Sequence, residues 1–176
     1  MTIKTRKSII AIIAVMAVLT LLFIFGNSLK DSYESSEQSV AVKEILMSVL
    51  GVFGVEEDIN IALVRNMAHV TEFALLGFFV SLLALYFARR KGNASVVRYA
   101  LFIGASMGVG TLVAIVDELL QLTVAGRACD AKDVLLDFIG ISIGTALAGL
   151  VYYLFIKIIL RKEQKNKEKE KICKNT

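Results

Sequence analysis

Four apolar runs punctuate the chain, at residues 9–25, 70–88, 99–116 and 138–156. The first carries no charge and the second is broken only by Glu72. A helix of about 20 apolar residues crosses a hydrocarbon core, whereas an open sheet cannot. None of the runs alternates with the period of a strand. The pattern predicts an all-α, polytopic membrane protein with four transmembrane helices. Between the first two runs, Val42, Ile45, Leu46, Val49, Leu50 and Phe53 recur at helical spacing. They make one apolar stripe on a helix of about 14 residues, too short to span. Such a helix is expected to lie in the membrane interface or to pack on the bundle, with Gly51 and Gly54 ending it. The Ser-rich stretch 27–38 precedes it.

Charge turns this pattern into a topology. The 176 residues are 56% hydrophobic with 20 Lys and Arg against 16 Asp and Glu. That is too apolar for a disordered chain, and two Cys are too few for a disulfide scaffold. Fifteen of the 20 bases fall before the first run, between the second and third, or after the fourth. Basic loops stay cytoplasmic. Both termini are therefore expected inside, with residues 26–68 and 119–133 outside. Thirteen of the 16 acids lie in those outer loops or at the outer ends of the spans. The net charge of +4 thus reflects two opposed populations and gives no reason to expect nucleic acid as a partner. The bases Lys4, Arg6 and Lys7 ahead of the first run resemble a signal-peptide start. The run is longer than the usual one of about 7–15 residues and has no cleavage motif, so it is expected to remain as a helix. Residues 1–160 are read as the membrane domain and 161–176 as a basic cytoplasmic tail. The tail is expected to be a solvated helix extension or disordered end, with attraction to anionic lipid headgroups as the alternative. Cys129 falls outside and Cys173 inside, so they are not expected to pair.

Depth supplies the candidate chemistry. Measured from each helix's basic end at 1.5 Å per residue, Asn27, His69, Glu72, Asp117 and Asp137 all stand about 25–30 Å up. Four helices therefore present polar groups at nearly one level. His69 and Glu72 are spaced i, i+3, Asp117 and Gln121 i, i+4, and, if the fourth helix starts before its apolar run, Asp130, Asp133 and Asp137 i, i+3, i+7, so each set shares a helix face. Ionisable groups at a membrane edge normally face the bundle interior or a wet pocket. His69 and Glu72 read as an acid/base pair, as metal ligands or as an interhelical polar contact. Asp117, Glu118 and Asp137 offer oxygen ligands for a divalent cation, or hold protons. Arg127, after Gly126, reads as a salt-bridge partner of Asp117, Glu118 or Asp133, or as a phosphate clamp. Asn27 and Ser28 read first as a helix cap, with a hydrogen-bond donor pair as the alternative. Gly104-x-x-x-Gly108, Gly140-x-x-x-Gly144 with Ala148, and Gly77 with Ser81 and Ala84 read as helix-packing positions. No established metal spacing appears.

Two segments carry a family resemblance. His69-Val-Thr-Glu72-Phe73 and the downstream Gly77 resemble the His-x-x-Glu-aromatic segment of the VanZ-like family. Asp117-Glu118-x-x-Gln121, Gly126-Arg127 and Asp133-x-x-x-Asp137-x-x-Gly140 resemble its second and more distinctive segment. The resemblance covers about residues 20–150. Ala125 stands where members often have Pro, and Asp137 where many have Asn. The resemblance implies a multi-pass protein of the bacterial cytoplasmic membrane and a role in resistance to teicoplanin-type lipoglycopeptides. It brings no agreed catalytic residues. Together with the charged ring at the outer edge, the resemblance favours an envelope protein with a polar site at the outer face, whose expected partners are the lipid bilayer and a lipid-linked cell-wall precursor or the lipoglycopeptide. The alternative is an enzyme on a lipid or lipid-linked phosphate, with His69, Glu72, Asp117 and Glu118 catalytic and Asn27, Gln121, Arg127, Asp133 and Asp137 on the substrate. A transporter fits less well, because transporters place polar groups near the midplane and these spans have apolar middles.

Overall fold

The computed structural model describes residues 3–54, 58–90 and 95–174, and the side chains of 7–54, 58–89, 95–158 and 161. Lys91, Glu56, Glu57 and the side chains of Lys4, Arg6, Arg90, Cys173 and the tail beyond Arg161 lie outside that set. The chain forms α1 (Ile3–Ser28), α2 (Ser32–Val52), α3 (Ile61–Arg90), α4 (Val96–Gln121) and α5 (Ala131–Lys174), with no strand among the described residues. Each apolar run is the interior of a longer helix. Four helical segments are long and apolar enough to cross a membrane: Lys7–Ser28, Ile61–Arg89, Val96–Gln121 and Ala131–Ile158. Their flanks are coated with exposed apolar side chains, among them Leu22, Leu101 and Leu112, each more than 60% exposed. A water-soluble bundle would bury such side chains; a bilayer accepts them. The architecture is that of a multi-pass membrane protein.

α3 and α5 form the closest pair, α4 packs on both, and α1 leans on α3 and α4. Gly140 and Gly144 explain the intimacy of the central pair. A methyl group at Gly140 would collide with the Val70 carbonyl, and one at Gly144 with the Ala74 carbonyl. Gly77 on α3 lies equally close to the Ile141 backbone. Small residues here let the two backbones touch, which is how helices associate where no hydrophobic drive operates. Gly104 and Gly108, expected to pack, instead face away with nothing nearby; Gly110 takes the contact with Ile141. Ile24, Phe73, Leu76, Ala114 and Ile141 fill the small core. Below it, the Ser81 hydroxyl lies 3.0 Å from those of both Ser106 and Thr145, tying α3, α4 and α5.

α2 is longer than its apolar stripe implies. It spans 21 residues and takes in most of the Ser-rich stretch. The Asp31 carboxylate accepts from the Glu34 N–H at 2.8 Å and starts the helix, a cap that supplies one of the donors' missing partners. Gly54, at φ +78°, follows its end. α2 packs on α3, buries none of its own residues, and leaves Ile45, Val49 and Phe53 exposed.

Candidate functional site

Among the described residues, the largest fully buried side chains are more often polar than apolar. Asp117, Glu118, Gln121 and Asp137 are each at most 1% exposed. Asp117, Glu118 and Gln121 are held on one face of the last turns of α4. Asp137 is carried in by the second turn of α5, which starts early because the Asp130 carbonyl and carboxylate accept from Asp133 N–H and Lys132 N–H, both at 2.9 Å. His69 enters from α3, and its Nδ1 lies 3.1 Å from Asp137 Oδ1. One donor atom each from His69, Asp117, Glu118 and Asp137 lies within 4.8 Å of the others.

A shell of donors steadies the carboxylates. Gln121 Nε2 donates to Asp117 Oδ2 at 3.3 Å and to Glu118 Oε1 at 3.0 Å. The Asp130 N–H donates to Glu118 Oε2 at 2.9 Å, and the Ser28 hydroxyl donates to Asp117 Oδ1. Glu72, one turn below His69, accepts from Asn27 Nδ2 at 2.9 Å. Two buried oxygens of this centre have no hydrogen-bond partner among the described residues: Asp137 Oδ2 and Gln121 Oε1. A cleft of about 80 Å³ opens beside this centre. His69, Glu72, Asp117, Arg65 and Arg127 line one side, and Ser35, Gln38 and Ser39 of α2 the other.

Arg127 reaches the cleft from the loop between α4 and α5. Gly126, at φ +73°, makes the turn and sits against the Ser32 side chain. Arg127 Nη1 donates to the carbonyls of Asn27 at 3.1 Å, Ser28 at 3.4 Å and Lys30 at 3.3 Å. The first two belong to the end of α1 and the third lies two residues beyond it; a helix leaves its last carbonyls without intrahelical partners, and they carry the negative end of its dipole. Burial, and next the nearby Arg65 charge, push the guanidinium below its ordinary pKa; an arginine remains a cation under such a shift.

Two features of the sequence and one of the fold now stand together: the His69…Glu72 segment, the Asp117…Asp137 segment, and an all-helical bundle that brings them to one centre. A family model described as VanZ/LLP1 matches residues 9–155. The chain belongs to the VanZ/LLP1 family. No curated protein and no solved structure matches it.

Within this VanZ/LLP1 chain, the pairings differ from those its sequence suggests. His69 meets Asp137 on α5, while Glu72 meets Asn27 on α1; the i, i+3 spacing puts His69 and Glu72 on one face but does not make them partners. Arg127 forms no salt bridge with Asp117, Glu118 or Asp133 among the described residues. Asp133 instead lies 3.8 Å from Arg65. Asn27 and Ser28 donate to carboxylates, so the donor-pair reading replaces the helix cap. Arg65 and the serines of α2 join the site without having been singled out as site residues. The 20-residue distance from Lys7 already places Asn27, and with it Ser28, at the right depth, whereas α2 folds over the cleft by tertiary contact alone.

Proposed function

We propose that this protein works in the bacterial cytoplasmic membrane with both termini inside. Its buried polar centre faces the extracytoplasmic side, where it alters a lipid-linked envelope molecule and so lowers susceptibility to teicoplanin-type lipoglycopeptides. Family membership supplies the cellular context. One observation carries the site: His69 and three carboxylates from three helices converge beside a cleft whose mouth carries Arg65 and Arg127. Arginine is the side chain best suited to hold a phosphate or carboxylate. The residues 26–54 that cover the cleft belong to the loop assigned to the outer face by the distribution of bases.

A catalytic version of this reading is favoured by the His69–Asp137 contact beside Glu72. A carboxylate orients an imidazole and steadies its charged form, and a second carboxylate in the cleft completes an acid/base pair. The test is a deletion strain complemented with the wild-type gene, with Glu72→Gln or with Asp117→Asn, scored for teicoplanin susceptibility and for membrane insertion by immunoblot. Wild type restores the deletion phenotype and neither inserted variant does. Unchanged susceptibility in both deletion and overexpression strains overturns the envelope role. Full complementation by both variants overturns catalysis alone.

A further inference from the structure

We propose that His69, Asp117, Glu118 and Asp137 bind a divalent metal cation of the Zn²⁺ or Mn²⁺ class. The inference concerns the site described above but stands on its donor set, without reliance on the lipid-linked reading.

Charge is the first argument. Three carboxylates sit at the polar end of a membrane bundle, each at most 1% exposed. Among the described residues, no Lys or Arg forms an ion pair with any of them, and the only basic partner is the imidazole of His69. A buried ion without a countercharge costs several kcal/mol even after relaxation, on the order of a single domain's margin of stability. Hydrogen bonds from Gln121, Ser28 and Asp130 soften this but bring no charge. A divalent cation does.

Geometry is the second. Metal–ligand bonds of about 2.0–2.2 Å put neighbouring donors about 3–3.5 Å apart. The His69–Asp137 distance of 3.1 Å already has that value, and the full set lies within 4.8 Å, so that an ion would draw the remaining donors inward. The third argument is a vacancy in hydrogen bonding. Asp137 is fully buried, yet its Oδ2 has no partner among the described residues. A buried carboxylate oxygen left unpaired on a member of this donor set points to a bound cation. One imidazole nitrogen among oxygens selects a borderline metal over Mg²⁺ or Ca²⁺, which prefer all-oxygen shells. Gln121 and Ser28 are then positioning residues, orienting ligands from behind.

The full-length chain is purified in detergent, stripped with a chelator, and titrated with Zn²⁺ or Mn²⁺ alone. Metal content is read by elemental analysis, Mn²⁺ by its paramagnetic resonance spectrum, and stability by thermal unfolding. About one equivalent per chain is expected, with a melting temperature lowered by the chelator and restored by the metal. Asp137→Asn abolishes stoichiometric binding. Gln121→Ala keeps it but weakens it about 10- to 100-fold. Absence of stoichiometric binding by wild type, with melting indifferent to chelator and metal, overturns the proposal and leaves protons as the neutralising charge. That result needs no variant to fold, and it leaves the susceptibility experiment untouched.

Discussion

At the scale of single residues, the polar centre is built from partners that only the third dimension chooses. Every acid in it comes from a position whose helical phase is readable, since spacing of three, four or seven residues fixes the face. Which group meets which is decided by the opposing helix. His69 finds Asp137 because α3 and α5 touch along their glycines. Arg127 shows the same limit more sharply. A guanidinium among carboxylates is expected to pair with one, yet it binds three carbonyls at the end of α1. A helix end leaves its last carbonyls short of partners, even though the Lys30 N–H also donates to the Asn27 carbonyl at 3.2 Å, while the carboxylates are claimed by Gln121, Ser28 and Asp130. Arg127→Ala should therefore act on stability: the orphaned, half-buried carbonyls cost about 1–3 kcal/mol. Thermal unfolding in detergent reads the loss. Arg127→Lys should restore it only partly, because an ammonium is more strongly hydrated than a guanidinium and gives up water less readily at a half-buried site. Wild-type stability in Arg127→Ala would show that the α1 end is satisfied by other groups.

The elements divide into those written in the local sequence and those set by contact. The four spans are legible because apolar runs of 17 to 19 residues are long enough to cross a bilayer. The start of α5 before its apolar run is legible too, from the spacing of Asp130, Asp133 and Asp137. The full length of α2 is not. A serine-rich stretch has weak helix preference, and here Asp31 caps it while Lys30 links Asn27 to Gln38 at 2.9 and 2.8 Å. Small-residue spacing likewise marks candidate seams without telling which seam is used. Gly104 and Gly140 head the same motif, and only the second meets another backbone. Substitution separates them. Gly140→Ala and Gly144→Ala should each force α3 and α5 apart at a cost of about 1–3 kcal/mol or more. Gly104→Ala and Gly108→Ala should be neutral or slightly stabilising, since alanine is the better helix former. Thermal melting of the four variants in one detergent checks this. Equal effects at the two pairs would contradict the α3–α5 seam.

For the whole molecule, the decisive quantity is which face of the membrane the polar end occupies. The bundle itself is blind to this, because turning it over preserves every contact. The asymmetry lies in the bases. Arg89, Arg98 and Lys157 stand at the end opposite His69, Asp117 and Asp137, as the 19- and 20-residue separations require. Short basic loops are retained in the cytoplasm, so the acid-rich centre is expected outside, beneath α2. Cys129 offers a direct measurement. It is exposed, in the loop between α4 and α5, close in sequence to Arg127. Cys173, beyond the fourth span, belongs to the opposite side. A membrane-impermeant maleimide applied to intact cells, with any outer membrane permeabilised, should label Cys129 and spare Cys173. Single-cysteine variants Cys129→Ser and Cys173→Ser assign the label, and lysed cells give the full reaction as reference. Labelling of Cys173 alone would turn the protein over. The cleft would then face the cytoplasm and a lipid-linked substrate exposed on the outer leaflet would be excluded, while the cation centre, built from contacts that do not depend on orientation, would stand.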